Sequence, residues 1–366
     1  MTGFGPEIAA LQLARGMADV FDHAVATGAA VQQDKSLPAS ARRALSLLSR
    51  LCLTAGLPED LGASVHEVMA FGCRPFSLWG VPQFAAPFRF AEVSLIDADF
   101  GVPTEDCREM ARQAGSEVAA LEALQHDALR SAVRGYPPRL RNAAYSSIRS
   151  LVVRHPAIPF AQLLAFVSEG SHFAAARIIE SFYRQIPASA FFGNRARLCG
   201  HCGSLLWPDR DTHSYPDGRC RIRQCRLAHP VPARGSDVDA PAEWRLAGSA
   251  ALVFWVGPGL EEIRIHDALK AAGRRVELYP EQDAADVGVD GLDIGIDAKT
   301  YASPDVLGAR LSHSTGRLGM FRTRYVSVPD DKLRMNPRYL EQLAAAYMGA
   351  TPLLFRTTSQ IIRGLS

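Results

Sequence analysis

The chain has 366 residues, 48% of them hydrophobic, seven cysteines and a formal net charge of +2. That length exceeds one ordinary core and calls for two or three domains, while no apolar run approaches the ~18 residues a membrane helix needs and Met1-Thr-Gly-Phe4 shows no basic-then-apolar leader, so a cytoplasmic protein that engages no membrane is expected. The balanced charge excludes no partner class, but a nucleic-acid binder of this composition has to concentrate its positive field locally.

Residues 1–194 read as a mostly helical domain. Helix-period apolar residues and good helix formers run through Pro6–Phe21, Ser40–Ala55, Glu59–Phe71, Thr104–Val133, Pro137–Val153, Phe160–Val167 and Phe173–Arg184, separated by Pro and Gly. Thr104 is placed to cap a helix with acids in its first turn. The stretch from Arg74 onward is irregular, and Val93 and Leu95 mark a short strand or a docking loop. No chemistry is visible here, and Arg149 and Arg154 read as a solvated helix face, with tracking of a phosphate backbone as the alternative.

Residues 195–235 carry a second signal. Cys199-Gly-His-Cys202 is followed, after 17 residues, by Cys220-Arg-Ile-Arg-Gln-Cys225. Paired cysteines at this separation are the spacing of a four-thiolate zinc ribbon, in which Zn²⁺ replaces a core that so short a segment cannot build. The second pair is wider than the usual two intervening residues, which leaves His229 or His213 as alternatives to Cys225. A full thiolate set leaves no open position for water, so the ion is expected to be structural. Between Arg195 and Arg234 there are eight Arg, no Lys and three acids, a local excess that suits nucleic acid; the alternative is an arginine surface packed on an acidic neighbour.

After a Pro- and Gly-bearing linker, residues 248–366 read as a third domain. A short strand is expected over Ala250–Val256, then a helix over Leu260–Ala272 that offers Glu261 and Glu262, of which Glu261 lies nearer the centre of the apolar stripe. Val276–Tyr279 is the next strand. Asp290-Gly291 sits between two alternating runs, the signature of a two-residue hairpin turn. With side chains alternating by two, Asp286 and Gly288 share one face, Asp293, Gly295, Asp297 and Lys299 share the matching one, and Val287, Val289, Ile294 and Ile296 take the other. A turn at 290–291 pairs Asp286 with Gly295 and puts it diagonal to Asp297, roughly 7–8 Å away at the backbone, with the glycines leaving room between. Two carboxylates at that span suit Mg²⁺ or Mn²⁺, and a lysine beside them suits hydrolysis of a phosphodiester. A helix near Asp305–Leu311, a strand over Tyr325–Val328 and helices over Pro337–Tyr347 and Ser359–Leu365 complete the chain.

The runs Tyr279-Pro280-Glu-Gln-Asp283-Ala-Ala-Asp286 and Ile296-Asp297-Ala-Lys299-Thr-Tyr301 resemble the core of the PD-(D/E)xK, restriction-endonuclease-like nucleases. More narrowly, they are similar to the endonuclease-like proteins encoded beside prokaryotic PIWI-type proteins of the RE group and a helicase in presumed defence islands. The resemblance implies an α+β multidomain chain: a helical N-terminal region, a zinc ribbon and a C-terminal αβββαβ nuclease core. It implies Asp286 and Asp297-x-Lys299 as the metal and catalytic positions, Glu262 in Pro-Gly-Leu-x-Glu as the remaining acid, and DNA as substrate, with a PIWI-type protein and a helicase as partners. The alternative is an inactive zinc-ribbon subunit that binds nucleic acid or scaffolds such a complex.

Overall fold

The computed structural model describes residues 6–114, 128–168 and 172–366. It divides into two units, each discontinuous in sequence: one takes in 1–121, 301–313 and 341–348, the other 122–300, 314–340 and 349–366.

The first unit is helical. Helices α1 (Pro6–Thr27) and α2 (Ala39–Thr54) meet at small residues, so closely at Gly16 that a Cβ there would stand 2.9 Å from Ala41 Cα. The third helix, α3 (Val65–Gly72), starts later than expected because the Ser64 hydroxyl accepts from Glu67 N–H and caps it there. Thr104 caps α4 (Glu105–Gln113) in the same way, accepting from Cys107 N–H. Of the helix expected over 104–133, residues 115–127 lie outside the described residues, and 128–133 are helical. Val93 and Leu95 are buried in irregular chain and form no strand. Buried Asp106 accepts from the N–H groups of Ala302 and Ser303, at the entry to the helix Pro304–His313.

The second unit holds three sheets. Strands β1 (Ala157–Pro159), β7 (Trp244–Ala247) and β2 (Tyr183–Gln185) form an antiparallel trio, with β7 central. The ribbon sheet runs β5 (Arg219–Cys220), β4 (Leu205–Trp207), β3 (Ala196–Cys199), β6 (Arg234–Val238). Its last strand occupies half of the expected linker. The main sheet runs β12 (Leu354–Thr357), β11 (Thr323–Val328), β10 (Ile294–Ala298), β9 (Val287–Val289), β8 (Val276–Leu278). Its hairpin strands are antiparallel, while β10, β11 and β12 are parallel. Val287, Val289, Ile296, Val326 and Val328 are fully buried on it.

Several expectations fail here for physical reasons. Ser249–Val256 is helical, not a strand, and joins α7 (Gly257–Ala271) through a π-type turn over Leu252–Val256. An apolar run buried all round carries no period that distinguishes strand from helix, and a wider turn just before Pro258 accommodates a residue that cannot donate to the helical ladder. The hairpin turn also spans four residues, 290–293, because β9 and β10 pair as Val289–Ile294, Gly288–Gly295 and Val287–Ile296. Leu292 and Asp293 are drawn away by the next strand, their carbonyls accepting from Arg322 and Thr323 N–H. Continuing that register by one residue puts Asp286 directly opposite Asp297 instead of diagonal to it. Nor do the glycines leave open space: Gly295 accommodates Phe321 and Leu318, and Gly288 lies against Pro280.

Candidate active site and metal centre

The four cysteines come together as the spacing predicts. Cys199 and Cys202 flank the β3–β4 turn, Cys220 ends β5, and Cys225 lies on the short helix α6 (Arg223–Ala228). All four sulfurs lie within 4.8 Å of one another and are buried, with Cys199–Cys225 at 3.8 Å and Cys202–Cys220 at 3.6 Å. Thiolates at about 2.3 Å from a tetrahedral ion stand about 3.8 Å apart, so the cluster is a site able to hold a metal ion of that kind. Contacts among the four thiols favour the ionised form at Cys199, which accepts from Cys202, Cys220 and Cys225, and the protonated form at Cys202, beside Cys199, Cys220 and Cys225. Cys225 is in the cluster, whereas His229 is stacked on His201, with ring centroids 4.0 Å apart, and His213 is exposed.

The ribbon's arginines are less available than their count implied. Arg195 pairs with Asp239, Arg197 with Asp217, Arg219 with Asp209, and Arg234 with both Asp217 and Asp237. Arg221 lies over the Trp207 ring.

The acids meet where α5 (Arg141–Arg154) and α7 reach the β8–β9–β10 edge. Glu262, on α7, is 1% exposed and accepts from Tyr279 Oη at 2.6 Å. Glu261 takes a different direction, lining a separate cavity of about 710 Å³ with Arg264, Asp330 and Asp331. Asp286 accepts from Ala298 N–H through Oδ2 at 2.7 Å, and Asp297 accepts from Lys299 Nζ at 2.8 Å. Burial first, then the neighbouring Glu262, hold the Asp286 carboxyl well above its ordinary range, with Lys299 opposing. Burial likewise raises Glu262, against the pull of Arg149. Asp293, in the turn, is exposed. Among the described residues the cysteines are the one group of three or more potential ligands closed to within 4.8 Å; the three carboxylates are neighbours of the chemistry Mg²⁺ prefers, at wider spacing.

Sequence reasoning missed the residue at the centre of this cluster. Arg149 sits on no solvated face; it is 4% exposed, with its guanidinium over the Tyr279 ring at 3.9 Å. It donates to Asp283, and its Nη2 lies 3.4 Å from Glu262 and 3.6 Å from Asp286. Burial works against its charge, but Asp283 and Glu262 outweigh that and hold its pKa well above the ordinary guanidinium value. Tyr145 donates to Asp283, Ser146 to the Tyr279 carbonyl, and Asn142 to Glu281. Asn142, Tyr145, Ser146 and Arg149 follow the i, i+3, i+4, i+7 spacing of one helix face, a polar stripe that could have been found. The chain they grip is strained, with Tyr279, Glu281, Gln282 and Asp283 all at φ between 50 and 77°. Such backbone costs energy and persists only where surrounding contacts enforce it.

No curated protein and no solved structure matches the chain. Two family models do: residues 17–159 match "pPIWI_RE three-gene island domain Y", a span that ends just past α5, and residues 259–363 match "REase associating with pPIWI_RE", a span that holds Glu262, Asp286, Asp297 and Lys299, so both matches associate the chain with pPIWI_RE modules.

Proposed function

We propose that the chain is a metal-dependent endonuclease that hydrolyses phosphodiester bonds of DNA, as the nuclease component of a PIWI-linked system acting on foreign DNA in the cytoplasm. The observation that carries this reading is the gathering of charges around Asp286, whose carboxyl feels Glu262, Lys299, Asp297 and Arg149 as its neighbours. The REase wording of the family match supports it. Glu262, Asp286 and Asp297 would hold Mg²⁺ or Mn²⁺. The ion would supply a water of lowered pKa and positive charge for the phosphate. The Ala298 N–H fixes the orientation of Asp286, and Lys299 orients the attacking water or stabilises charge that develops on the phosphate. The cysteine cluster holds a structural Zn²⁺ that keeps the ribbon folded. Four carboxyl groups, counting Asp283, face two cations, Arg149 and Lys299, so a divalent ion that displaced the protons of the buried acids would find a matching excess of negative charge.

A second reading has an observation of its own. Arg149 already neutralises part of the acid cluster from within, as expected of a subunit that keeps the fold but binds nucleic acid or scaffolds a complex without cutting. Nicking of supercoiled plasmid by the purified protein with Mg²⁺ or Mn²⁺, alone and with a PIWI-type partner and helicase, separates the two. Metal-dependent nicking that Asp297→Asn abolishes is expected; its absence in every combination would favour the scaffold.

A further inference from the structure

Resting on that metal-site reading, we infer that Arg149 is a resident counter-cation of the acid cluster, a positioning residue with which a divalent ion competes for Glu262 and Asp286.

The geometry leads there directly. One nitrogen of the guanidinium, Nη2, stands 3.4 Å from Glu262 Oε1 and 3.6 Å from Asp286 Oδ1, so it occupies the space between two of the three acids that would ligate the ion. Those distances are longer than a charge-assisted hydrogen bond of about 2.7–2.9 Å. Its firm contact is with Asp283 through the other nitrogen, Nη1. The buried Nε has no hydrogen-bond partner among the described residues. Arg149 is therefore anchored at Asp283 and on the Tyr279 ring; its Nη2 donates only a long hydrogen bond to Glu262, at 3.4 Å, and leans on Asp286 without being tied to it. An ion that draws those two carboxylates to ligand distance meets a fixed positive charge, and Nη2 has to give up its place. Residues 17–159, the span matched by the island-domain model, thereby set the metal affinity of a site whose acids all lie within 259–363.

A purely structural arginine and a competing one differ in sign. Loss of a structural support loosens the ligands and weakens metal binding, whereas loss of a competitor strengthens it. The experiment is calorimetric titration of Mn²⁺ at pH 8.5, where protons compete least, into the wild-type protein, Arg149→Gln and Asp286→Asn. Arg149→Gln is expected to tighten Mn²⁺ by roughly tenfold, inside the span of ordinary couplings between two ligands, while Asp286→Asn weakens it. If Asp286→Asn leaves Mn²⁺ affinity unchanged, the metal-site reading itself fails. If Asp286→Asn weakens binding but Arg149→Gln does so too or has no effect, only the competition is overturned. Should Arg149→Gln not fold, the arginine Nε–H resonance of Arg149 in the wild-type protein, assigned with Arg149→Lys, decides the matter. It is expected to shift saturably with Mg²⁺, and a resonance that stays put overturns the inference.

Discussion

The two clusters of this molecule are built in opposite ways. The cysteine site is assembled from 27 consecutive residues, Cys199–Cys225, on two turns and a short helix, and its four sulfurs already stand at tetrahedral spacing. The acid cluster draws on α5, α7, the strained 279–283 segment and the ends of β9 and β10, and a guanidinium lies among its oxygens. Four buried thiols at that spacing suit a closed, structural metal site. The acid cluster carries its own cation and spends one oxygen of Asp286 on a backbone N–H; on the proposed reading it stays adjustable, as a site that also receives substrate requires.

That contrast can be broken most severely at the cysteines. Structural zinc contributes folding free energy on the order of 10 kcal/mol, so the wild-type protein should contain one zinc per chain by elemental analysis. Cys202→Ser should lose it and become protease-sensitive in the ribbon first. Because Gly257 packs its backbone against Gln224 of α6, near-UV circular dichroism should report some loosening of α7 as well. Zinc-free protein with a protease-resistant ribbon would remove the contrast altogether.

The next largest effect is at Asp297. Asp297→Asn keeps the shape but takes one charge from a hard-cation site and from its contact with Lys299, so Mn²⁺ affinity and plasmid cleavage should fall together, and full activity would show the acids to be misassigned. Lys299→Ala removes no ligand. Cleavage should drop by roughly 10²–10³, the scale of one lost transition-state contact, while Mn²⁺ affinity holds or rises.

Smaller still is the effect of the ribbon arginines. Replacement of Arg219, Arg221 and Arg223 together would flatten the salt dependence of DNA binding by up to about three units if all three met phosphate. Arg219 is held by Asp209 and Arg221 by Trp207, so a change nearer one unit is expected; no change would assign binding elsewhere. The smallest effect belongs to Asp293→Asn. This side chain is exposed in the turn, and its loss should alter stability by no more than about 0.5 kcal/mol and leave cleavage intact, which makes it the control for Asp297→Asn.

Local signals determined much of this protein by themselves. Paired cysteine spacing was enough to bring Cys199, Cys202 and Cys220 together, because short turns leave few ways to arrange them, whereas the wider second pair left Cys225 to be chosen over His229 and His213 by the fold. Alternation placed Val287, Val289 and Ile296 in the core of the main sheet, since period-two patterning is a property of the strand alone. The helix start at Thr104 followed from a hydroxyl that satisfies an unpaired N–H group, and the same device at Ser64, unread in a helix expected from Glu59, set the start of α3. What lay beyond the sequence depended on partners far along the chain. Asp290-Gly291 does turn left-handed, yet the pairing register was set by Arg322 and Thr323, which take the carbonyls of Leu292 and Asp293. The run 250–256 is helical, and burial nearly all round left it no period by which the sequence could tell helix from strand. Above all, Arg149 looked like one more surface arginine, and only the tertiary structure turned it inward, because three acids 113 to 137 positions away along the chain offer the charge that makes burying a guanidinium tolerable.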